Sequence, residues 1–335
     1  MVHSSIPSYK VSVAPMMDLT DRHFRYFLRQ ISKHSLLYTE MVTTGAILKG
    51  KDNHRYLDFS PEELPLALQL GGDSPKDLLA AARIGENYGY SEINLNVGCP
   101  SDRVQSGSFG ACLMKDPDLV AEMVSTLKSK INLPITVKHR IGVNGKESYN
   151  DLYNFVNKIK DAGVSRIIVH ARIAILEGLS PKENRTIPPL KYSDVYKLKE
   201  DFQDLPIIIN GGIKTIDEYH KHLKYVDGVM IGRAAYDNPY LFSSVDEEFY
   251  SDKANRKSRL EVLETIKTYI LNSEVLKTKP SQVLRHILGL YAGIPGAREF
   301  RRFLSETMFL RADVNELFDK LYEKIRNIEY YETAV

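Results

Sequence analysis

The sequence is poor in cysteine and contains no long hydrophobic run. Only two cysteines, Cys99 and Cys112, occur in 335 residues, which excludes a disulfide framework and gives no metal-ligand spacing. No apolar run approaches the ~18 residues of a membrane span, and the first ten residues lack the apolar core of a signal peptide. These absences predict a cytoplasmic protein in a reducing compartment.

The charge balance shows no excess that would favour an anionic partner. Lysine and arginine number 45 against 43 aspartates and glutamates, a net charge of +2. The length suits one large barrel with a small companion domain, or two ordinary domains. A nucleic-acid partner must therefore be argued from a local basic patch.

Short apolar runs recur along the first part of the chain, with helix-like segments between them. They lie at residues 11–16, 36–41, 66–71, 92–97, 134–140, 166–172, 206–211 and 228–233. Eight strand–helix repeats predict an α/β fold, a (β/α)8 TIM barrel. A doubly wound sheet is the competing arrangement, but the count of eight and the lack of a GxGxxG motif after the first run favour the barrel.

The pattern changes after about residue 245. Four segments with helical periodicity follow, without a strand between them, which predicts a small helical bundle. We therefore expect a barrel domain over residues 1–245 and a helical domain over residues 246–335.

Polar side chains recur at the ends of five predicted strands. They are Gln69, Asn94, Asn96, Lys138, His170 and Asn210. Taken alone, Lys138 would more often be an exposed lysine and His170 a structural histidine. The chemistry of this fold lies at the carboxyl ends of its strands, so the repetition favours a polar binding floor.

Glycines follow the last two predicted strands. Gly211 and Gly212 stand in NGGIK, and Gly232 precedes Arg233 in IGRAA. Barrels often bind phosphate here because glycine lets backbone N–H groups approach it closely, although ordinary turns also contain glycine. A phosphate site beside amides, a lysine and a histidine suits flavin mononucleotide (FMN), and a sugar phosphate is the alternative.

Cys99 stands in the stretch NLNVGCPS, just past the fourth predicted strand. Pro100 restricts it to extended backbone geometry. A cysteine thiol ordinarily has a pKa of about 8.5, so at neutral pH it can act as a general acid as well as a nucleophile. Cys112, inside GACLMK, is better explained as a small buried hydrophobe.

The sequence resembles the flavin-dependent tRNA-dihydrouridine synthases, most closely the DusA subfamily, which modifies positions 20 and 20a of the D-loop. The motifs that carry the resemblance are APMMDLTDRHFR, YTEMVTTGAI, LQLGG, INLNVGCPSDRV, VKHRIG, GLSPKENRTIPPL, NGGIK and GVMIGRAAYDNP. The resemblance implies an FMN-bearing barrel and a tRNA-binding helical domain. It also implies that NADPH reduces the flavin, which passes a hydride to C6 of a flipped-out uracil, while Cys99 gives a proton to C5.

The same resemblance implies roles for individual residues. Pro15, Met16 and Met17 would line the flavin, and Gln69, Lys138 and His170 would contact its ring region. Asn210, Gly211, Gly212, Gly232 and Arg233 would hold its phosphate end. Asn96, Lys182, Arg185, Arg298 and Arg301 look like uracil or RNA contacts. We expect no metal and no obligate protein partner, so the protein would be a monomer that binds tRNA.

A local basic stretch gives independent but modest support for RNA binding. Between residues 277 and 302 the basic residues are Lys277, Lys279, Arg285, Arg298, Arg301 and Arg302, and the only acid is Glu299. Arg298, Arg301 and Arg302 share one face of the predicted helix. A folded RNA is a reason for such a stripe, and a solvated helix face is the alternative.

Two other functions stay open on sequence grounds. One is a different FMN barrel enzyme that reduces a small molecule, such as a dihydroorotate or enone oxidoreductase. The C-terminal helices and the segment GAREFRRFL disfavour it. The other is an RNA-binding protein without activity, which the joint presence of Cys99, Lys138 and His170 disfavours.

Overall fold

The computed structural model describes residues 6–101, 107–254, 256–273, 278–309 and 313–333. The chain divides into two compact units. The first unit comprises Met1–Asp18 and Ser35–Gly232, and the second unit comprises Leu19–His34 and Arg233–Val335. No helix in these described ranges is long and apolar enough to cross a membrane.

Eight parallel strands form the first unit. They are β1 (Val11–Val13), β2 (Leu37–Thr43), β3 (Leu66–Gly71), β4 (Glu92–Val97), β5 (Ile135–Val143), β6 (Arg166–Ala174), β7 (Ile207–Asn210) and β8 (Gly228–Ile231). Their order is β1-β8-β7-β6-β5-β4-β3-β2. A parallel bridge between Ser12 and Leu36 joins the two ends of the sheet. The predicted TIM barrel is confirmed, and each strand begins inside the run that predicted it.

Helices alternate with these strands. Numbered along the chain after α1 (Arg22–Arg29), which belongs to the second unit, they are α2 (Thr44–Lys49), α3 (His54–Leu57), α4 (Pro75–Tyr88), α5 (Pro117–Lys128), α6 (Tyr149–Asp161), α7 (Tyr192–Asp201) and α8 (Ile216–His222). Their ends follow from the sequence. The Ser74 hydroxyl caps α4 by accepting from Asp77 N at 3.3 Å, and α4 ends at Gly89, whose φ of 89° suits glycine.

Helices also form the second unit, and the expected C-terminal helices are present. With α1 they are α9 (Arg233–Asp237), α10 (Val245–Tyr250), α11 (Arg259–Ser273), α12 (Pro280–Leu284), α13 (Ala297–Thr307) and α14 (Val314–Thr333). Chain order alone would put α1 with the barrel, because it follows β1. Its C-terminal end instead meets Asp246, whose carboxylate accepts from the Ser32 hydroxyl and the Lys33 N–H, both at 2.6 Å. The domain boundary predicted after residue 245 stays a prediction.

The barrel interior changes from apolar to polar along the strands. An apolar cluster contains Ala14, Leu36, Tyr38, Ala67, Ile168, Ile208 and Met230. Side chains alternate along a strand, so residues two positions further on point to the same side. The positions that follow Ala67, Ile168 and Ile208 in this way are Gln69, His170 and Asn210. The fold therefore brings these three polar residues to the carboxyl end of the barrel interior.

The first residues of two strands form a buried ion pair. The Glu92 carboxylate binds the Arg166 guanidinium and accepts from the Tyr38 hydroxyl at 2.9 Å. Arg166 also lies over the ring of Tyr9, 4.2 Å from its centroid. Because Glu92 and Arg166 begin β4 and β6, this ion pair lies at the amino end of the barrel, away from Gln69, His170 and Asn210.

Candidate active site

Three amide side chains form a hydrogen-bonded chain across β3 and β4. Gln69 Nε2 donates to Asn94 Oδ1 at 2.7 Å, and Asn96 Nδ2 donates to Gln69 Oε1 at 2.8 Å. Asn94 in turn donates to the Thr136 hydroxyl at 2.8 Å. Gln69 and Asn94 are buried, and each bond sets the orientation of the next amide. The amides of the predicted polar floor are therefore linked to one another by hydrogen bonds.

Cys99 is held in place by its backbone. Asn96 Oδ1 accepts from Gly98 N at 3.1 Å and from Cys99 N at 3.0 Å. The Cys99 carbonyl accepts from Ala111 N at 2.9 Å. The thiol is partly exposed and lies 3.6 Å from the Ser101 hydroxyl. The result is a thiol at the carboxyl end of β4 whose position depends on the amide chain.

The other cysteine has a different environment. The Cys112 thiol donates to the Phe109 carbonyl at 3.0 Å. Burial raises the pKa of this thiol, which makes it a poorer acid and nucleophile. The residue is partly exposed, so the packing role expected for it stays a prediction.

Lys138 and His170 have strongly shifted pKa values. Burial, reinforced by the charge of Arg140 and opposed by Cys99, lowers the pKa of Lys138 to about 8. Burial also lowers the pKa of His170 well below its usual value, and four cations act in the same direction. These cations are Arg140, Lys138, Arg172 and Arg185. At neutral pH the lysine stays charged and the imidazole is neutral.

One of these two side chains has a buried atom without a partner in the part of the chain that the structure describes. That atom is His170 Nδ1, whereas the Lys138 side chain is only partly buried by its accessible surface. Leaving a buried polar group unpaired costs ~1–3 kcal/mol, so such groups commonly face a ligand. The carbonyl and imide edges of a flavin ring would supply a partner for His170 Nδ1 and lie within the chemistry that the Lys138 ammonium can bind. The residues present therefore fit this cofactor.

The loop after β7 contains two glycines with positive φ, a backbone conformation that lets N–H groups approach an anion closely. Gly211 and Gly212 adopt φ values of 116° and 74°, which a residue with a side chain would strain to reach. A Cβ on Gly211 would lie 3.1 Å from the His170 ring, so the loop also needs glycine for its approach to β6. The Tyr192 hydroxyl fixes the loop by donating to the Gly211 carbonyl at 2.7 Å.

The remaining predicted cofactor residues lie at other strand ends. Asn210 is buried and donates to the Met230 carbonyl at 2.8 Å. Pro15 and Met16 are partly buried beyond β1, whereas Met17 is 55% exposed. Gly232 ends the first unit, and among the described residues a Cβ there would meet Ala14 alone, at 4.0 Å. Arg233 is exposed and belongs to the second unit.

The predicted RNA contacts of the first unit lie on the loop after β6. Lys182 and Arg185 are both exposed: Lys182 precedes the turn Glu183–Arg185, which contains Asn184, and Arg185 ends it. Asn184 itself is fully buried; its side chain accepts from Ile175 N and donates to Ile175 O, both at 2.8 Å. The loop is therefore closed on itself, with its cations turned outward.

The predicted RNA contacts of the second unit lie on α13. Arg298 and Arg301 are exposed, as is Arg302, while Phe300 and Leu304 anchor the opposite face in the core. The basic stripe predicted there is not uniform. Arg285 is bound to the Asp21 carboxylate at 2.5 Å, and Lys277 lies outside the described residues.

The structure thus brings one group of predicted residues together in the first unit: Gln69, Asn96, Cys99, Lys138, His170, Asn210 and Gly211. Arg233, Arg298 and Arg301 belong to the second unit. Tyr192 and Asn184 were not among the predicted site residues. Asn184 had a signal, since it stands within the SPKENR motif, but Tyr192 had none. The individual roles of all these residues stay predictions.

A parallel barrel with polar groups at the carboxyl ends of its strands is the arrangement of a barrel enzyme. The chain belongs to the dihydrouridine synthase family of oxidoreductases: the family model described as Dihydrouridine synthase (Dus) matches residues 12–326.

Several proteins named tRNA-dihydrouridine(20/20a) synthase are similar along almost their whole length. The one from Synechocystis sp. is 56% identical over 307 residues, 92% of each chain. The one from Pseudomonas putida is 53% identical over 320 residues, 96% of this chain and 95% of the relative. The one from Escherichia coli is 50% identical over 317 residues, 94% of this chain and 95% of the relative.

A solved structure of a 2-naphthoyl-CoA reductase with 2-naphthoyl-CoA is similar to 74% of this chain and 51% of its own, with a TM-score of 0.55. At 11% identity this likeness shows the barrel fold alone.

Proposed function

We propose that the protein reduces uridine to 5,6-dihydrouridine at positions 20 and 20a of the tRNA D-loop, with FMN as cofactor and NADPH as electron donor. Family membership and the names of the relatives support the reaction and the positions. The observation that carries the proposal is the thiol of Cys99 at the end of β4: its backbone N–H is bound by Asn96, and Lys138 is the residue that faces Asn96 on the neighbouring strand β5.

Saturating the C5=C6 bond requires a hydride on one carbon and a proton on its neighbour. Reduced FMN, when bound, would supply the hydride to C6, and NADPH would restore the reduced flavin. The chain itself supplies the proton: the Cys99 thiol would donate to C5 from the opposite face of the base. A positioned general acid of this kind contributes ~10²–10⁴-fold to a rate.

The cofactor would lie over the polar floor of the barrel. Gln69, Lys138 and His170 would contact the ring, and the charged ammonium of Lys138 would favour electron-rich flavin. His170 adds no positive charge because its imidazole is neutral. The phosphate would meet the loop of Gly211 and Gly212, with Asn210, Gly232 and Arg233, while Pro15, Met16 and Met17 would line the ring.

The substrate would be held by a mixture of amide and cationic groups. Asn96 would read the uracil, and Lys182 and Arg185 would bind RNA near it. Arg298 and Arg301 would bind the tRNA backbone, because exposed arginines can neutralise its negatively charged phosphates. We place the enzyme in the cytoplasm with its tRNA, as a monomer without an obligate protein partner.

The test is the position of dihydrouridine in cellular tRNA. Cells that lack the gene should lose the modification at positions 20 and 20a, and the parent gene should restore it. The purified protein should be yellow and release FMN on denaturation. Unchanged dihydrouridine in a strain without the gene would contradict the proposal. A yellow protein without this phenotype would favour the small-molecule reductase, and a colourless one that takes up no FMN would favour the inactive RNA-binding protein.

A further inference from the structure

One arginine joins three stretches of backbone at the mouth of the barrel. Arg140 Nε donates to the Gly98 carbonyl at 3.0 Å, and its Nη1 donates to the carbonyls of Ile173 at 3.1 Å and Asn184 at 3.0 Å. Gly98 directly precedes Cys99, and Asn184 directly precedes Arg185. A single guanidinium therefore connects the segment with the thiol to the loop with the predicted RNA contact.

The two segments have separate internal supports. The Asn96 side chain holds the backbone of Gly98 and Cys99 from the β4 side. The Asn184 side chain closes the loop after β6 through its bonds to Ile175 and to the Leu179 carbonyl at 3.2 Å. Neither amide reaches from one segment to the other. Arg140 makes that connection, and its planar fork suits several fixed acceptors at once.

Arg140 carries its charge in an unusual place. It is 4% exposed, and burial lowers its pKa to about 10, with Cys99 opposing the change and the cations Arg185 and Arg172 adding to it. It stays charged at neutral pH. Three carbonyl oxygens therefore stabilise this buried cation. Packing alone would not require a charge here, since an apolar side chain fills buried space at a lower desolvation cost.

We propose that Arg140 is a positioning residue that fixes the Cys99 thiol relative to the loop of Lys182 and Arg185. The inference rests on the proposed function, because it assigns that loop to RNA and that thiol to proton transfer. Arg140 acts through the backbone and touches no reacting atom. Its loss should let the thiol shift relative to the base, and small misplacements of reacting groups cost ~10–100-fold in rate.

The test compares the FMN-loaded parent with Arg140→Met, Arg140→Lys and a matched control, Arg29→Lys. Arg29 is also a buried arginine bound to backbone carbonyls, those of Ser32 and Lys33, but it lies on α1 in the second unit. We expect NADPH to reduce the flavin at the parental rate in all variants. At saturating unmodified tRNA, reoxidation of the flavin should be ~10–100-fold slower in Arg140→Met, partly restored in Arg140→Lys and normal in Arg29→Lys.

A second readout does not depend on tRNA. The rate at which iodoacetamide alkylates Cys99, measured by mass spectrometry relative to the rate for Cys112 in the same molecule, depends on the position and surroundings of the Cys99 thiol. We expect the ratio of the two rates to change severalfold in Arg140→Met and to return towards the parental value in Arg140→Lys.

The outcomes separate the two proposals. Parental reoxidation in Arg140→Met, or a slower rate explained by lost flavin alone, would overturn the role of Arg140. If the parent itself fails to reduce tRNA, the proposed function is refuted. The ratio of the Cys99 and Cys112 alkylation rates then tests the role of Arg140 by itself. An unchanged ratio in Arg140→Met would refute the proposal that Arg140 positions the thiol. Arg140→Lys keeps the test valid if Arg140→Met does not fold.

Discussion

The side-chain oxygen of Asn96 accepts hydrogen bonds from two consecutive backbone N–H groups, those of Gly98 and Cys99, at 3.1 and 3.0 Å. Its amide nitrogen donates to Gln69 at 2.8 Å. One side chain therefore connects the floor on which the flavin would lie to the segment that carries the thiol. The same residue would also contact the uracil, so its loss has consequences that can be separated by measurement.

Asn96→Ala should slow dihydrouridine formation by ~10–100-fold even at saturating tRNA, because the N–H groups of Gly98 and Cys99 both lose their acceptor, Asn96 Oδ1. The substitution should also lower the free energy of unfolding by about 1–3 kcal/mol, since the buried Gln69 side chain loses a donor and the partly buried N–H groups of Gly98 and Cys99 lose their acceptor. Single-turnover reoxidation of reduced FMN and denaturant unfolding measure the two effects. Asn157→Ala, which removes an exposed amide bonded to Asp161 on α6, is the control and should change neither. A normal rate at saturating tRNA would leave Asn96 with a binding role only.

Cys99→Ala should fold, hold FMN and oxidise NADPH normally, yet form dihydrouridine ~10²–10⁴-fold more slowly, the usual contribution of a general acid. Cys99→Ser should also be slow because a hydroxyl is a much weaker acid than a thiol. Cys112→Ala is the matched control and should stay close to normal, since that thiol is bonded to the Phe109 carbonyl. Flavin reoxidation by unmodified tRNA, with mass detection of the product, gives the rates. A parental rate in Cys99→Ala would assign the proton to another donor.

The barrel and its polar floor could be predicted because both depend on short-range patterns. Strand periodicity placed Gln69, His170 and Asn210 correctly at the carboxyl end, since alternation along a strand decides which side a residue faces. The pairing of Arg285 with Asp21 could not be predicted in this way. These two residues are of common types, and only the packing of α1 within the second unit brings them together.

A similar limit applied to the loop after β6. Its exposed cations could be recognised from the SPKENR motif. The internal bonds of Asn184 and the reach of Arg140 to the Asn184 carbonyl depend on backbone geometry that no periodicity encodes. The sequence therefore indicated candidate residues for the chemistry, but not which residues hold those candidates in place.

Arg298→Ala and Arg301→Ala should each weaken tRNA binding and flatten its dependence on salt. Every lost phosphate contact removes about one unit from the slope of log K against log salt concentration. Binding measured at several salt concentrations gives this slope, and NADPH oxidation without tRNA should survive. Arg83→Ala, which removes an exposed arginine of α4 in the first unit, is the control. Equal slopes in the parent and both variants would mean that this face of α13 is only solvated surface.

The affinity for FMN should fall as the pH rises above about 8. The pKa of Lys138 is lowered to about 8 by burial and by the charge of Arg140, so the ammonium loses its proton in this range. If the charged form contacts the flavin, FMN binding at higher pH requires the uptake of a proton. Linkage then weakens binding by up to tenfold per pH unit above about 8, with little dependence on this group below pH 7.

The comparison variant for this pH dependence is Lys138→Met. It should bind FMN ~10–100-fold more weakly at pH 7, the usual contribution of a hydrogen bond to a charged group. Because methionine does not titrate, the fall in affinity above pH 8 that Lys138 causes in the parent should be absent from the variant. Lys130→Met, at an exposed position just after α5, should keep the parental curve. Quenching of FMN fluorescence at each pH measures the dissociation constants. If Lys138→Met loses affinity above pH 8 as steeply as the parent, the titrating group is not Lys138, and its place beneath the flavin would have to be given up.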